Sequence, residues 1–278
     1  MGSITIAVIG VGDVGGSLYK IFRSVELFDT YAYDIDPSKR VHDLDDIPKP
    51  IDFIHIAIPF RNFREFIDSV ESYAHSLKAR AIAIHSTVAP GTTREIYKRL
   101  KTPVAYTPVR GIRRNLIKHL YLWSKWVSSL PKDGGDIFIE HFKVAGITAV
   151  NCMCEPESLE LAKLWETVYR ALLISAWHEI HRIALKFNAD LEVIARFVGE
   201  VHDVLGDRPV YYPDIIGGHC LIPNTKILSD LYRSKLLEFI LESNEMRRYE
   251  IKDHKIRKDI ARIKDLWERS IRRWYYYE

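Results

Sequence analysis

The sequence has few cysteines, namely Cys152, Cys154 and Cys220. An odd number of cysteines cannot pair completely, so we do not expect a disulfide-stapled scaffold. The cysteines and histidines also lack the spacing of a zinc site, and we predict no metal site. We interpret Cys152 and Cys154, the two cysteines of "CMC", as reduced thiols near the end of a strand.

Long apolar runs and a strong excess of one charge are also lacking. No stretch reaches the roughly 18 apolar residues that indicate a membrane-spanning helix. The start, "MGSITIAVIG", has no basic region of the kind that opens a signal peptide. The 40 basic and 37 acidic side chains give a net charge of only +3, which does not indicate a nucleic-acid or anionic-membrane partner. We therefore expect a cytoplasmic protein with neither kind of partner.

The composition is that of a globular protein, with 278 residues that are 47% hydrophobic and 28% charged. The first half alternates short apolar runs with helical periodicity, which predicts parallel strands joined by helices. The strand candidates are "ITIAVIG", "TYAYDID", "DFIHIAIP", "RAIAIHS" and "TPVAYTP", with weaker candidates in "WVSSL", "HFKVAG" and "AVNCMC". The pattern predicts an α/β fold in which an N-terminal Rossmann domain, a doubly wound parallel sheet, covers residues 1–155.

The second half is helical from Pro156, a residue favoured at the start of a helix. We predict an all-helical second domain over residues 156–278, with a long linking helix and an amphipathic C-terminal helix. The linking helix has an apolar face of Leu159, Leu164, Val168, Leu172, Ile174, Ile180 and Ile183. The tail has an apolar stripe of Ile256, Ile260, Ile263, Trp267, Ile271 and Trp274, which we expect to pack on the protein itself or on a second subunit. An anionic partner for its basic polar face is the alternative.

The segment "IAVIGVGDVGGSLYKIF" has glycines at 10, 12 and 15, directly between the first strand and the first helix. In this context the G-x-G-x-x-G pattern indicates dinucleotide binding. Gly10 allows the tight turn, Gly12 lets the backbone approach a pyrophosphate, and Gly15 allows close contact between helix and strand. We assign Asp13 and Val14 to the same loop as cofactor contacts. A glycine turn that binds no ligand is the alternative.

Asp34 follows the second strand, about twenty residues beyond the glycines, where a carboxylate accepts hydrogen bonds from ribose hydroxyls. A carboxylate there would repel a 2′-phosphate, so we predict NAD as the cofactor rather than NADP. Asp36 is the alternative acid, although "DIDPSK" is also typical of a turn. Arg40 is close enough in sequence to weaken the preference for NAD.

Four further segments resemble the UDP-glucose/GDP-mannose dehydrogenase family. "IHSTVAPGTTREI" is similar to the S-T-V-x-P-G-T-T segment of that family, and "YTPVRG" to its N/S-P-E-R segment. "ESLELAKLWETVYRALLISAWHEI" resembles its linking helix, with the pattern A-E-L-x-K, and "PDIIGGHC" resembles its G-G-x-C segment. The segments lie in the family's order, and the resemblance extends from the first strand to about residue 245.

The resemblance implies an activity and the residues that carry it. Members of the family use NAD to oxidise a primary alcohol of a nucleotide sugar twice, and a cysteine captures the aldehyde formed first. By this resemblance Cys220 is the candidate nucleophile, Lys163 steadies negative charge on oxygen, and Thr87 helps to position water. The resemblance also implies a homodimer that forms through the linking helix. Without it, Cys220 would be a thiol in a glycine turn and Lys163 a solvated charge.

Further contacts complete the prediction. The expected cofactor contacts, besides the glycine loop and Asp34, are Pro59, Ser86 and Thr87. Gly218 and His219 are expected to contact the substrate. The basic residues Arg110, Arg113, Arg114 and His119 form a candidate site for a phosphate or carboxylate of the substrate; the alternative is an exposed basic helix.

Three positions depart from the family pattern. Val109 replaces a glutamate, Asn224 replaces an aspartate and Thr167 replaces an asparagine. These groups handle protons and water in the second oxidation and hydrolysis, so we expect one oxidation, with Asn224 positioning water or substrate. The family's second Rossmann-like domain is also missing after the tail, which favours a sugar-like or hydroxy-acid substrate with an anionic group. Two alternatives remain: a full two-step nucleotide-sugar dehydrogenase completed by a partner subunit, and a non-catalytic NAD-binding protein.

Overall fold

The computed structural model describes residues 3–271 and 274 of the chain. The described residues divide into two compact units, one ending at Lys163 and the other beginning at Leu164. The division falls within the long linking helix, while the predicted domain boundary after residue 155 stays a prediction. Each unit is described by itself.

The first unit is built on a seven-stranded sheet with the strand order β2-β1-β3-β4-β5-β6-β7. The neighbouring strands are parallel, except that β6 runs antiparallel to β5. The order reverses between β1 and β3, and in doubly wound sheets this reversal opens a crevice at the carboxyl ends of the strands. The strands are β1 Ile4–Ile9, β2 Phe28–Tyr33, β3 Phe53–Ile56, β4 Ala81–Ile84, β5 Val104–Tyr106, β6 Lys125–Leu130 and β7 Ala149–Asn151.

Helices cover both faces of this sheet, because successive side chains of the central strands alternate between two buried cores. Ile6 and Val8 pack with α1, α4 and α5 on one face, and Ala7 and Ile9 pack with α2 and α3 on the other. The helices are α1 Asp13–Arg23, α2 Phe63–Leu77, α3 Thr92–Leu100, α4 Leu116–Leu122 and α5 Gly135–Val144. The predicted α/β class, with a Rossmann sheet followed by helices, is confirmed.

Two local predictions are wrong. "HFKVAG" is not a strand but the end of α5, because Phe138 and Phe142 lie one helical turn apart and both pack in the core. Cys152 and Cys154 are not reduced thiols, since a disulfide joins them. The left-handed backbone at Met153, with φ of 49°, turns the chain back on itself and leaves the two Cα atoms 5.2 Å apart, within the usual range for a disulfide.

The second unit is helical, as predicted. The linking helix α6 spans Pro156–Lys186, and it is followed by α7 Leu191–Leu205, α8 Leu221–Leu231, α9 Lys235–Glu250 and α10 His254–Ser270. One apolar core joins α6, α8 and α9, and a second joins α6, α7 and α10. In the tail, Ile256, Ile260 and Ile263 are buried in the protein itself, whereas Trp274 is exposed. Within the part of the chain that the structure describes, no helix is long and apolar enough to cross a membrane.

Candidate functional site

The glycine loop follows β1, and its geometry explains why glycine stands at each position. Gly10 has a φ of +91°, and a Cβ there would lie 2.7 Å from the carbonyl oxygen of Ala57, just after β3. A Cβ on Gly15 would lie 1.7 Å from the carbonyl oxygen of Gly10. Around the Cβ position of Gly12, by contrast, no heavy atom of the described chain lies within 4 Å. Gly10 and Gly15 therefore allow the loop to close, and Gly12 leaves its outer surface open to a ligand.

Asp34 lies directly after β2 and holds the glycine loop in place. Its Oδ2 accepts a hydrogen bond from the backbone N–H of Val11 at 2.6 Å, and its Oδ1 accepts one from the N–H of Asp36 at 2.9 Å. Two carboxylate oxygens offer about four acceptor positions, so Asp34 retains capacity for the hydroxyls of a ribose. Asp36, the alternative acid, instead caps its own turn through Ser38 and pairs with Lys39 at 3.1 Å.

Arg40 is held by groups of its own loop. Its Nε donates to the carbonyl of Asp34 at 3.1 Å, its Nη2 to the carbonyl of Ile35 at 3.3 Å, and its Nη1 to Asp43 at 3.0 Å. The guanidinium also lies 5.1 Å from the centre of the Tyr33 ring. These contacts occupy three of the five N–H donors of Arg40, which lessens its availability to a 2′-phosphate.

A cavity of about 390 Å³ lies beside Gly10, Gly12 and Asp34 at the crevice between β1 and β3. Pro59 contributes to its wall, as the sequence predicted for a cofactor contact. The other lining residues include several that the sequence analysis did not single out: Ile35, Lys39, Arg61, Phe66, Ser69 and Tyr73. Most of these come from α2 and the loops beside it, and no motif in the sequence marks them.

Ser86 and Thr87 follow β4, next to the same crevice. The hydroxyl of Ser86 donates to the carbonyl of Ile58 at 2.6 Å and so ties the loop after β4 to the loop after β3. Thr87 is half-buried. The structure thus gathers the predicted cofactor residues of the first unit at one edge of the sheet.

Glu160, on the first turns of α6, is a residue whose role the sequence analysis missed. Its fully buried carboxylate accepts hydrogen bonds from the N–H of Gly91 at 2.6 Å, the N–H of Thr93 at 2.9 Å and the hydroxyl of Thr93 at 2.7 Å. These donors lie at the start of α3, where a negative charge is favourable. Burial raises the pKa of Glu160. The sequence does contain a signal for Glu160, because this glutamate is the acid of the A-E-L-x-K pattern, three residues before Lys163.

A buried polar cluster lies between the sheet and α5, and it is composed of His55, His85, His141 and Lys125. The Nδ1 atom of His55 lies 2.9 Å from Nε2 of His85, and the Lys125 Nζ donates to the carbonyl of Thr107 at 2.7 Å. Burial is the main cause that lowers the pKa of each histidine and of Lys125, and that of His141 falls to about 3. The three histidines are therefore neutral at pH 7, and burial makes the charged form of Lys125 less favourable.

The predicted basic cluster is only partly exposed. Arg113 is exposed and its Nε contacts the Asp13 carboxylate of the glycine loop at 2.6 Å. Arg110 donates to the carbonyl of Ser124 at 2.7 Å and lies 4.8 Å from the Trp123 ring centre. His119 does not belong to an exposed cluster: it is buried, and its Nδ1 accepts the N–H of Ile112 at 2.9 Å.

In the second unit, Cys220 ends a loop and caps the N-terminus of α8. Cys220 is a free, exposed thiol, and Gly218 and His219 before it are also exposed. Gly218 has a φ of +81°, which favours glycine, and the described chain places no atom within 4 Å of its Cβ position. The loop is shorter than predicted, because α8 begins at Leu221 and includes Asn224.

The three departures from the family pattern have clear structural settings. Val109 packs in the apolar core of the first unit and is 9% exposed. Asn224 is buried, and its Nδ2 donates to the hydroxyl of Thr167 at 2.8 Å. Thr167 in turn donates to the carbonyl of Leu164 on α6 at 2.8 Å. The two substituted positions of the second unit are therefore direct partners.

The described residues contain no candidate metal site. Among residues 3–271 and 274, no group of three or more histidine, cysteine, aspartate or glutamate side chains is arranged to hold one.

Comparison with known proteins supports the resemblance. Residues 157–246 match the model of the UDP-glucose/GDP-mannose dehydrogenase family, central domain. Over 209 residues the chain is 27% identical to a UDP-N-acetyl-D-mannosamine dehydrogenase of Methanocaldococcus jannaschii, a match that covers 71% of this chain and 47% of that protein. The chain thus spans about half the length of this curated relative.

Two solved structures show the fold. A UDP-D-ManNAc dehydrogenase of Pyrococcus horikoshii has a TM-score of 0.75 at 18% identity, covering 87% of this chain and 68% of that one. A 3-hydroxyisobutyrate dehydrogenase of Mycobacterium tuberculosis has a TM-score of 0.64 at 13% identity, covering 95% of this chain and 99% of that one. At these identities the likeness concerns the fold. With the match over residues 157–246, it confirms the resemblance first seen in the motifs: the chain is similar to the UDP-glucose/GDP-mannose dehydrogenases, and residues 157–246 match the central domain of that family.

Proposed function

We propose that this protein is an NAD-dependent dehydrogenase that oxidises a CH–OH group of a sugar-like, anionic substrate. The observation that carries the proposal is the cavity at the β1–β3 crevice, which combines an open glycine loop with a carboxylate at the position expected to bind ribose. The central-domain match supports the substrate class, because the archaeal relative is a dehydrogenase of a nucleotide sugar.

The residues at the cavity fit NAD better than NADP. Asp34 is already oriented by two backbone N–H groups, so its remaining acceptor positions suit a pair of ribose hydroxyls. A 2′-phosphate would meet this carboxylate, and Arg40 is engaged by its own loop. The N-terminus of α1, with Gly12 exposed beside it, would receive the pyrophosphate. Arg113, beside Asp13, is close enough to the glycine loop to add a positive charge there.

The proposed chemistry is the removal of a hydride and a proton from an alcohol. The glycine loop and Asp34 would hold NAD, which would supply the hydride acceptor. As the proton of the alcohol passes to water, negative charge develops on the oxygen, and Lys163 would stabilise this charge by family resemblance. Thr87, in the loop after β4, is proposed to position water. Cys220 is the candidate nucleophile: its sulfur would add to the aldehyde carbon, and the proton would pass to the carbonyl oxygen.

The setting of the substituted residues supports one oxidation rather than two. A second oxidation followed by hydrolysis needs groups that take up protons near neutral pH. Val109 is an apolar core residue, and Asn224 is a neutral amide whose nitrogen donates to Thr167. Neither can act as a general base. The product is therefore proposed to be the aldehyde or ketone. Where Cys220 has added to the carbonyl carbon, the C–S bond breaks again and the proton returns to sulfur before the product leaves.

The substrate is proposed to carry a phosphate or carboxylate, and Arg110 and Arg113 are the candidate contacts. The relatives favour a nucleotide sugar, and the match to a hydroxy-acid dehydrogenase over almost its whole length favours a smaller substrate. A homodimer is proposed through α6, which exposes Leu161, Trp165 and Tyr169 at four-residue spacing, with exposed fractions of 45%, 48% and 51%.

The test is calorimetric titration with NAD and NADP, followed by an assay of NADH formation on UDP-sugars, GDP-sugars and 3-hydroxy acids. We expect NAD to bind and NADP to bind more weakly.

Asp34→Asn keeps an oxygen that can accept from the N–H of Val11 but loses the negative charge. It should weaken NAD binding about 10- to 100-fold, which is the value of a hydrogen bond to a charged group. Asp36→Asn is the matched control, with little change. One NADH per substrate supports a single oxidation, two would restore the full family reaction, and no NAD binding would refute the proposal.

A further inference from the structure

The loop that carries Cys220 is held by buried polar side chains just before its two glycines. Asn244, on α9, is 1% exposed, and its amide pairs with both backbone groups of Ile216. The N–H of Ile216 donates to Oδ1 of Asn244 at 2.7 Å, and Nδ2 of Asn244 donates to the carbonyl of Ile216 at 3.3 Å. A residue in a loop has no neighbouring strand with which to pair its backbone N–H and carbonyl. The amide of Asn244 pairs with both of these groups of Ile216 instead.

His178, on α6, holds the same loop two residues earlier. Its Nε2 lies 2.7 Å from the carbonyl oxygen of Asp214, and since a carbonyl only accepts, Nε2 carries the proton. Its Nδ1 is then the acceptor for the hydroxyl of Ser243, at 3.1 Å. Arg182 donates to the same hydroxyl oxygen at 3.1 Å and to the carbonyl of Ser243 at 3.0 Å. Each of these contacts therefore joins one donor to one acceptor.

The position of these contacts relative to Cys220 gives them a role. On the other side of the glycines, Cys220 is the N-cap residue of α8, and its carbonyl accepts the N–H of Asn224 at 2.9 Å. Gly217, Gly218 and His219 lie between Ile216, which Asn244 holds, and the N-cap residue Cys220, and all three are exposed. The backbone of these three residues is thus fixed from both ends, and its course decides where the thiol lies.

We propose that Asn244 and His178 are positioning residues for Cys220, through the backbone of Ile216 and Asp214. This inference rests on the proposed function, because a fixed thiol matters only if Cys220 meets a substrate. Neither residue touches the reacting atoms. Their contribution is to keep the loop in one conformation, since a misplacement of about 1 Å can cost a hundred-fold in rate.

The test compares Asn244→Ala with Leu237→Ala, a truncation of a buried apolar residue on the same helix. Leu237 shares the apolar core of Ile216 but has no side-chain group that can hydrogen-bond to it, so this control loosens packing near the loop and leaves the hydrogen bonds of Asn244 in place. Hydrogen exchange of the peptide covering residues 207–220 reads the loop directly, without any substrate. We expect Asn244→Ala to raise its exchange rate at least about ten-fold above the rate in Leu237→Ala. In the active enzyme kcat should fall at least about ten-fold, while NAD affinity stays within about two-fold, because the predicted cofactor residues belong to the first unit and make no hydrogen bond with Asn244.

A second pair of variants guards against simple misfolding. Glutamine at position 178 retains an N–H donor for the Asp214 carbonyl, so His178→Gln should keep slow loop exchange, whereas His178→Ala should lose it. Equal loop exchange in Asn244→Ala and Leu237→Ala would overturn the proposal, and so would released exchange with unchanged kcat. Absence of turnover in the unmodified protein would refute the proposed function alone. The exchange rates would still decide whether Asn244 and His178 hold the loop in one conformation.

Discussion

The stability of the first unit should fall as the pH is lowered below about 6.5, because of His141. Its ring is stacked against Phe53 at 4.4 Å and Phe28 at 4.9 Å between ring centres. The side chain is buried, and neither ring nitrogen has a hydrogen-bond partner in the described structure. Burial lowers its pKa to about 3, so the folded protein holds it neutral throughout the mildly acidic range.

The direction of the effect follows from the two protonation states. An unfolded histidine has a pKa of about 6.5, so below that pH the unfolded chain binds a proton that the folded chain does not bind until about pH 3. Acid therefore favours unfolding. Each pH unit in this window costs about 1.4 kcal/mol, and the loss from His141 alone between pH 6.5 and pH 5 is about 2 kcal/mol. His55 and His85, whose pKa values burial also lowers well below the usual value, add to the same slope.

His141→Phe tests this reasoning, because phenylalanine fits an aromatic stack and removes two unpaired ring nitrogens. Between pH 6.5 and pH 5 the variant should lose about 2 kcal/mol less stability than the unmodified protein. Urea titrations read by hydrogen-exchange pulses on the peptides of β3 and α5, all at one pulse pH, report the first unit separately. His254→Gln, at an exposed position, is the control and should leave the slope unchanged. An unchanged slope in His141→Phe would show that this ring is already protonated or solvated in the folded protein.

Three further outcomes follow from other contacts. Gly15→Ala places a Cβ 1.7 Å from the Gly10 carbonyl and should abolish NAD binding in calorimetry, whereas Gly16→Ala, with its nearest neighbour at 3.7 Å, should retain it. Glu160→Gln keeps an acceptor but loses the charge at the start of α3, and should lower the free energy of unfolding by about 1–3 kcal/mol in urea titration. Thiol titration of the unfolded, unreduced protein should find one thiol, Cys220, rising to three after reduction; three before reduction would contradict the disulfide.

The sequence predicted the parts of the structure that depend on local pattern. The glycine loop is one example, because Gly10 and Gly15 stand where any Cβ would meet backbone, a requirement that spacing alone reveals. Asp34 is another, since the end of the second strand fixes its position in the crevice. Other features depend on long-range packing or on a single dihedral angle. Nothing in the local pattern around His141 indicates a buried neutral ring, and only the left-handed Met153 brings Cys152 and Cys154 together.

The pair formed by Asn224 and Thr167 shows why two departures from the family occur together. Thr167 has one hydroxyl proton, and it is donated to the Leu164 carbonyl, so towards Asn224 its oxygen offers only lone pairs. An amide nitrogen satisfies that oxygen, whereas the family's aspartate would place a carboxylate against it at a site that is 5% exposed. An unpaired carboxylate buried there would be costly. The family's asparagine at position 167 would supply the donor that a carboxylate needs. Each substitution therefore makes the other tolerable, and together they replace a candidate proton acceptor with a neutral amide–hydroxyl hydrogen bond, which supports the proposal of a single oxidation.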